Sequence, residues 1–299
     1  MKFAQGWIHD GEAVSAFAAT LKMPTVHETP IGDIPVESLP KEVALWKFWQ
    51  NLFPNEKCWA VGNQGNLGSC VGWGTIKAIE ASYVVELANG EQEEFKYLSR
   101  GVCYAGSRVE VNGGKSPFKS DGSVGAWAAK FCTKWGVIDN GIYDGINTNY
   151  DIPKVRVWAA NGVPDKLEPY IKQHPISNTT LVKTVEDAQR CLANGYGISV
   201  CSNQGFNTKR DANGIANPSG KWSHCMSCVG YIHIKDKLYF VIENSWGNYM
   251  KTSNPVPMNG NDGQFLCNAT TFASMLAQGD TWAFAGVKGF EKKDLDWKL

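Results

Sequence analysis

Across its 299 residues the chain has no apolar run long enough to cross a membrane, which takes 18 or more such residues, so no transmembrane helix and no membrane partner are expected. The opening stretch MKFAQGWIHDGEAVSAFAATLKMP has no apolar core, because Gln5, His9, Asp10, Glu12 and Ser15 interrupt it. It does not read as a secretory signal, and Met1 reads as an unprocessed start. Charge of one sign is also lacking: 29 basic residues balance 29 acidic ones, and no three Lys or Arg stand together. The electrostatic footprint of a nucleic-acid binder is therefore missing. Internal repeats and low-complexity tracts are absent as well.

What is present is globular. The chain is 43% hydrophobic, 19% charged and 12% aromatic, with enough length for one large domain or two lobes around a buried core. It carries nine cysteines: Cys58, Cys70, Cys103, Cys132, Cys191, Cys201, Cys225, Cys228 and Cys267. The number is odd and no secretory signal precedes them, so reduced thiols are expected, most of them acting as small buried hydrophobes. That points to a reducing compartment, cytoplasmic or virion-associated.

Residues 1–38 carry Pro24, Pro30 and Pro35 with little periodicity and read as an extension or arm. A short helix is expected over 44–52. After Cys70, apolar residues at Trp73, Ile76, Ile79, Tyr83, Val84 and Leu87 follow the helical period, which predicts a long amphipathic helix stopped by Asn89-Gly90. A second helix is expected over 123–135, ended by Gly136. A third follows Thr184 as N-cap, with Asp187 near a capping-box position and Gly195 as C-cap. The texture then changes. YGISVCS, SCVGYIHI, KLYFVIEN, GQFLCN and TWAFAGVKGF are short β-rich runs, and 207–221 and 247–263 read as long loops. The expected class is α+β: residues 39–165 form a mainly helical lobe and residues 166–299 a β-rich one.

The stretch NQGNLGSC, residues 63–70, places a glycine-broken loop directly before a cysteine that opens a helix. A helix N-terminus offers unpaired N–H groups and partial positive charge, which lower a thiol's pKa and make it a better nucleophile. Gly65 and Gly68 allow tight turns and close approach of a substrate backbone. Gln64 supplies an amide donor upstream, as an oxyanion hole requires. On these residues alone, a buried structural cysteine is about as good a reading. A thiolate also needs a base. Of the five histidines, His9 and His27 lie in the extension and His174 in a loop, whereas His224 opens the run HCMSCVGYIHI. A base needs an orienting group, and Asn244 ends the next strand. Two adjacent antiparallel strands would set the pair side by side, with Trp246 shielding it from water.

QGNLGSC, HCMSCVGY and NSWG, in that order, resemble the papain-like cysteine peptidases, family C1, from residue 39 to residue 290. The resemblance implies a two-lobed α+β papain-like fold, with a helical N-terminal lobe, an antiparallel β-rich C-terminal lobe and the active site in the cleft between them. It implies Cys70 as nucleophile, His224 as general base and acid, Asn244 as orienter, and Gln64 with the Cys70 N–H as oxyanion hole. Gly68, Gly122, Ser223 and Trp246 would bind substrate or cover the site. The chain departs from the family at Leu67, where a disulfide-forming Cys is usual, and at Val71, where an aromatic is usual. The extension is short for an inhibitory propeptide of the family and shows no long charged helix, so it is not expected to be one.

The reaction implied is peptide-bond hydrolysis through an acyl-thioenzyme, with no cofactor and no metal, on a protein or peptide substrate. The alternatives are an amidase or acyltransferase on the same triad, or a structural protein that keeps the fold in a larger particle such as a phage virion. Cys225-x-x-Cys228 has no second pair nearby, and strand geometry sends its thiols to opposite faces. GGKS at 113–116 lacks the first glycine of a P-loop.

Overall fold

The computed structural model describes residues 3–91, 94–250, 260–286 and 290–297. Helix α1 (Gly11–Ala18) lies within the extension, where no helix was expected. Asp10 caps it, accepting from the Ala13 N–H at 2.9 Å. Strand β1 (Glu42–Ala44) follows, then helix α2 (Trp46–Leu52). The expected helix over 44–52 therefore starts two residues late. The backbone at Ala44 is already paired with Gly230 in a distant strand.

Helix α3 (Cys70–Ala88) begins at the cysteine and ends at Asn89, with Gly90 at φ +71°. It is not amphipathic. Lys77, Glu80 and Glu86 are buried along with its apolar residues. Buried charge has to be paired, and Glu80 takes Lys77 Nζ at 3.1 Å, Arg100 Nη2 at 2.6 Å and the Leu98 N–H at 2.9 Å. Helices α4 (Arg100–Arg108) and α5 (Gly125–Lys134) pack beside it. Helix α5 is shorter than expected because Val124 is extended and Gly136 sits at φ +117°. A small hairpin of β2 (Ile142–Tyr143) and β3 (Ile146–Asn147) leads to α6 (Ile152–Asn161) and the single turn α7 (Glu168–Ile171).

The remaining elements are β4 (Asn178–Leu181), α8 (Val185–Ala193), β5 (Ile198–Phe206), β6 (Pro218–Ile234), β7 (Lys237–Glu243), β8 (Gln264–Asn268), α9 (Ala269–Leu276) and β9 (Asp280–Ala285). Thr184 caps α8 through the predicted box with Asp187. Strand β6 reaches back to Pro218, so the end of the loop expected over 207–221 is strand. Part of the second expected loop, residues 251–259, lies outside the described residues.

Apart from the β2–β3 hairpin, the strands form one antiparallel sheet in the order β4-β9-β5-β6-β7-β8, with β1 also paired to β6. The architecture is α+β with two main apolar cores. One joins α3, α4 and α5 to one side of the sheet, and the other gathers α2, α8, α9 and most of the strands. Strand alternation separates neighbours on β6. Cys225 enters the first core together with Cys70, and Cys228 enters the second. Among the described residues no helix is long and apolar enough to cross a membrane, and no three His, Cys, Asp or Glu are grouped to hold a metal ion.

Candidate active site

Cys70 is the first residue of α3 and is fully buried. Backbone N–H groups of Cys225, Gly6 and Val71 lie against its sulfur. Cys225 follows His224 on β6, so the nucleophile's helix and the strand of the candidate base meet at the thiol. His224 Nε2 stands 2.8 Å from Asn244 Oδ1, just past the end of β7. A carboxamide oxygen only accepts, so this contact puts the imidazole proton on Nε2. The ring's Nδ1 is buried and has no hydrogen-bond partner. Trp246 covers the ring with centroids 4.3 Å apart.

Gln64 is held from both ends. Its Oε1 accepts from Ser245 Oγ at 2.7 Å, which turns Nε2 outward to the carbonyls of Leu67 at 2.9 Å and Ala4 at 3.2 Å. Tyr150 Oη braces the same loop, donating to the Gln64 carbonyl at 3.1 Å and lying 2.6 Å from Ser69 Oγ. Leu67 fills a small apolar cluster with Tyr104, Val155 and Ala159.

The extension does not stay clear of this site. Residues 3–8 run through it in extended form. Ala4 O accepts from Gln64 Nε2 and from Trp246 Nε1 at 2.9 Å, and Phe3 stacks on Trp246 at 4.6 Å. The N–H groups of Gly6 and Trp7 both donate to Ser223 O at 3.0 Å, and the Ser223 N–H donates to Gln5 Oε1 at 3.0 Å. On the opposite wall the Ser123 N–H donates to Gly6 O at 2.8 Å and the Ile8 N–H to Ser123 O at 2.9 Å. The sequence marks these residues only as an arm, and the structure lays them across the site. Gly6 stands at the crossing point, where a Cβ would lie 1.9 Å from Gly68 O.

Ser123, not Gly122, pairs with the segment, because the Gly122 N–H is given to Tyr104 Oη at 2.9 Å and its carbonyl to Arg108. Gly122 still has to be glycine. Its φ is +114°, and a Cβ there would meet Gly6 O at 2.8 Å. Gly68 likewise faces Gln5 O, at 2.4 Å from a hypothetical Cβ. Ser223 is exposed and contacts the segment through its backbone.

The expected lowering of the Cys70 pKa is reversed in this closed arrangement. Burial pushes the thiol up, outweighing the surrounding N–H groups, and burial holds His224 down at about 4 despite its bond to Asn244. Thiol and imidazole are both neutral here. Sequence reasoning missed Ser245, Tyr150, Ser123 and Asp280. The first three act through short polar contacts with residues distant in the chain, which no local spacing signals. Asp280 is a buried acid at the start of β9 whose partners include Trp7.

Solved structures share this arrangement of chain. Xylellain, a cysteine protease from Xylella fastidiosa, superposes with TM-score 0.62 at 20% identity, over 96% of this chain and 99% of that one. ProCathepsin B S9 from Trypanosoma congolense gives 0.56 at 15% identity, over 95% and 86%. Digestive procathepsin L 3 of Tenebrio molitor gives 0.54 at 14% identity, over 92% and 79%. The fold is papain-like. No family model and no curated protein sequence matches the chain. Within the papain-like fold, the residues singled out from sequence at Gln64, Cys70, His224, Asn244 and Trp246 converge on one point beneath residues 3–8.

Proposed function

We propose that the chain is a cysteine peptidase held latent by its own residues 3–8. The observation that carries this reading is the His224–Asn244 contact of 2.8 Å, with an unpartnered Nδ1 on the histidine, in a site whose Gln64 amide already grips a peptide carbonyl. Once the segment leaves, water reaches the thiol and the imidazole, and the cost of charging both falls. The Cys70 proton passes to His224 Nδ1, and the thiolate attacks a peptide carbonyl. Gln64 Nε2 donates to the resulting oxyanion from the position where it now donates to Ala4 O. The imidazolium gives its proton to the departing amine. Water, deprotonated by the same imidazole, then hydrolyses the thioester. Asn244 keeps the Nε2–H tautomer and the ring orientation throughout. An extended peptide lying along the cleft favours peptide substrates over small amides.

The test is a peptide-library digest with the full chain and a Cys70→Ala control, with and without a step that displaces the segment. Cleavage that requires Cys70 and rises on displacement supports the reading. Cleavage by the Cys70→Ala chain at the wild-type rate rules it out.

A further inference from the structure

We propose that the pocket holding the Trp7 indole is the side-chain recognition pocket of the cleft, and that Asp280 at its base selects peptides with tryptophan at that position. The inference rests on the peptidase reading for its substrate and on the following geometry for its chemistry. Trp7 lies where the two walls grip the segment. Its own N–H goes to Ser223 beside His224, and its neighbours Gly6 and Ile8 take both backbone groups of Ser123. Its side chain points inward and is 6% exposed. It joins the apolar core that contains Cys70 and Val71.

At the inner end the indole meets a carboxylate. Trp7 Nε1 donates to Asp280 Oδ2 at 2.8 Å. Asp280 is fully buried, and none of the described salt bridges involves it. Its other partners are fixed neutral donors: Trp282 Nε1 at 2.7 Å, the Gly125 N–H at 2.8 Å and the Ala126 N–H at the start of α5. A carboxylate has about four acceptor positions. Three are filled by groups that belong to the lobes, and the fourth by the segment. When the segment withdraws, one acceptor position of a buried acid is left for the substrate to fill.

A site built to accept a hydrogen bond rejects a ligand of the same shape that lacks the donor. Phenylalanine fits inside the volume of an indole but leaves the acceptor empty. Leucine leaves both the plane and the acceptor unfilled. Arginine brings a charge that the three N–H donors and the N-terminus of α5 already offset in part. Indole satisfies shape and donor together, as Trp7 does.

The experiment uses the full-length Trp7→Ala chain, which empties the pocket and leaves Cys70, His224, Asn244 and Gln64 untouched. Free indole should raise its melting temperature and bind at least tenfold more tightly than benzothiophene, in which sulfur replaces the N–H. Equal binding of the two overturns the proposal, as does tighter binding of an alkylguanidine than of indole. If the Trp7→Ala chain does not fold, the wild-type chain is compared on peptides bearing tryptophan or benzothienylalanine, and a preference of at least tenfold in kcat/KM for tryptophan is expected. Equal rates overturn the proposal. Selective indole binding by a chain that hydrolyses no peptide supports the pocket's chemistry and sinks the peptidase reading.

Discussion

At the scale of single residues, Gln64 is the sharpest case. Its amide is oriented by Ser245 Oγ and braced through Tyr150, so the donor is preset and not adaptable. A preset donor strengthens most as negative charge develops on the carbonyl oxygen. On the peptidase reading, Gln64→Ala in the opened chain should therefore lower kcat by roughly 10²–10³ while KM changes little. Alkylation of Cys70 by iodoacetamide, which forms no oxyanion, should persist. A wild-type kcat in that variant would reduce Gln64 to a turn residue. Ser245→Ala should give a smaller loss of kcat in the same direction, because the amide remains but its direction is no longer held. Gln64, Cys70, His224, Asn244 and Trp246 were legible because each sits at a chemically telling place in a short motif. Ser245 lies inside one of those motifs too, yet its role depends on a partner 181 positions away, which no local pattern reveals.

At the scale of elements, the segment 3–8 lies too close to the Gln64 loop to tolerate a side chain at Gly6. A Cβ there would stand 1.9 Å from the Gly68 carbonyl oxygen, and backbone cannot swing aside as a side-chain tip can. Gly6→Ala should lift the segment and raise the rate of iodoacetamide labelling at Cys70 by well over an order of magnitude. Gly11→Ala, where nothing lies within 4 Å of the added carbon, should leave that rate unchanged. Equal labelling of the two variants, mapped by peptide mass, would remove the segment's claim to closing the site. Helices α3, α5 and α8 were legible from local signals, the stops at Asn89-Gly90 and Gly136 and the Thr184–Asp187 box, although α3 buries more than the apolar stripe its period implied. Strand β1 was not. It has three residues, and its partners Gly230 to Ile232 come almost 190 positions later, so only tertiary pairing decides its state. The burial of Lys77 and Glu80 was hidden for the same reason, because Arg100 and the Leu98 N–H come from outside the helix.

At the scale of the whole molecule, closing the site carries a pH signature. Folded His224 has its pKa held down at about 4, whereas an unfolded histidine titrates near 6.5. Below about pH 6.5 the unfolded chain takes up a proton that the folded chain refuses. Stability should thus be full above that pH and fall as pH drops toward 4, by up to about 1.4 kcal/mol per unit. Asp280 works the other way. Burial raises its pKa, so the folded chain gains a proton first in acid and recovers part of the loss. Melting temperatures between pH 7 and 4.5 should show the decline, and His224→Gln should flatten it. An unchanged slope in that variant would assign the decline to other groups.

The segment that fills the site is joined through α1 and a bridge from Thr25 to Leu181 to strand β1, which is itself stitched to the strand carrying His224. The occupant is therefore tethered to its own site, and on the latent-peptidase reading it competes with substrate at an effective concentration in the millimolar range expected for short connections. A single cut in the tether turns that competition into an ordinary encounter between two molecules. In a micromolar solution the local advantage then drops about a thousandfold, equivalent to about 4 kcal/mol, without the loss of any contact at the site. Release from latency would then depend on dilution: a nicked sample should open as it is diluted and close again when concentrated, whereas the intact chain should behave identically at every concentration.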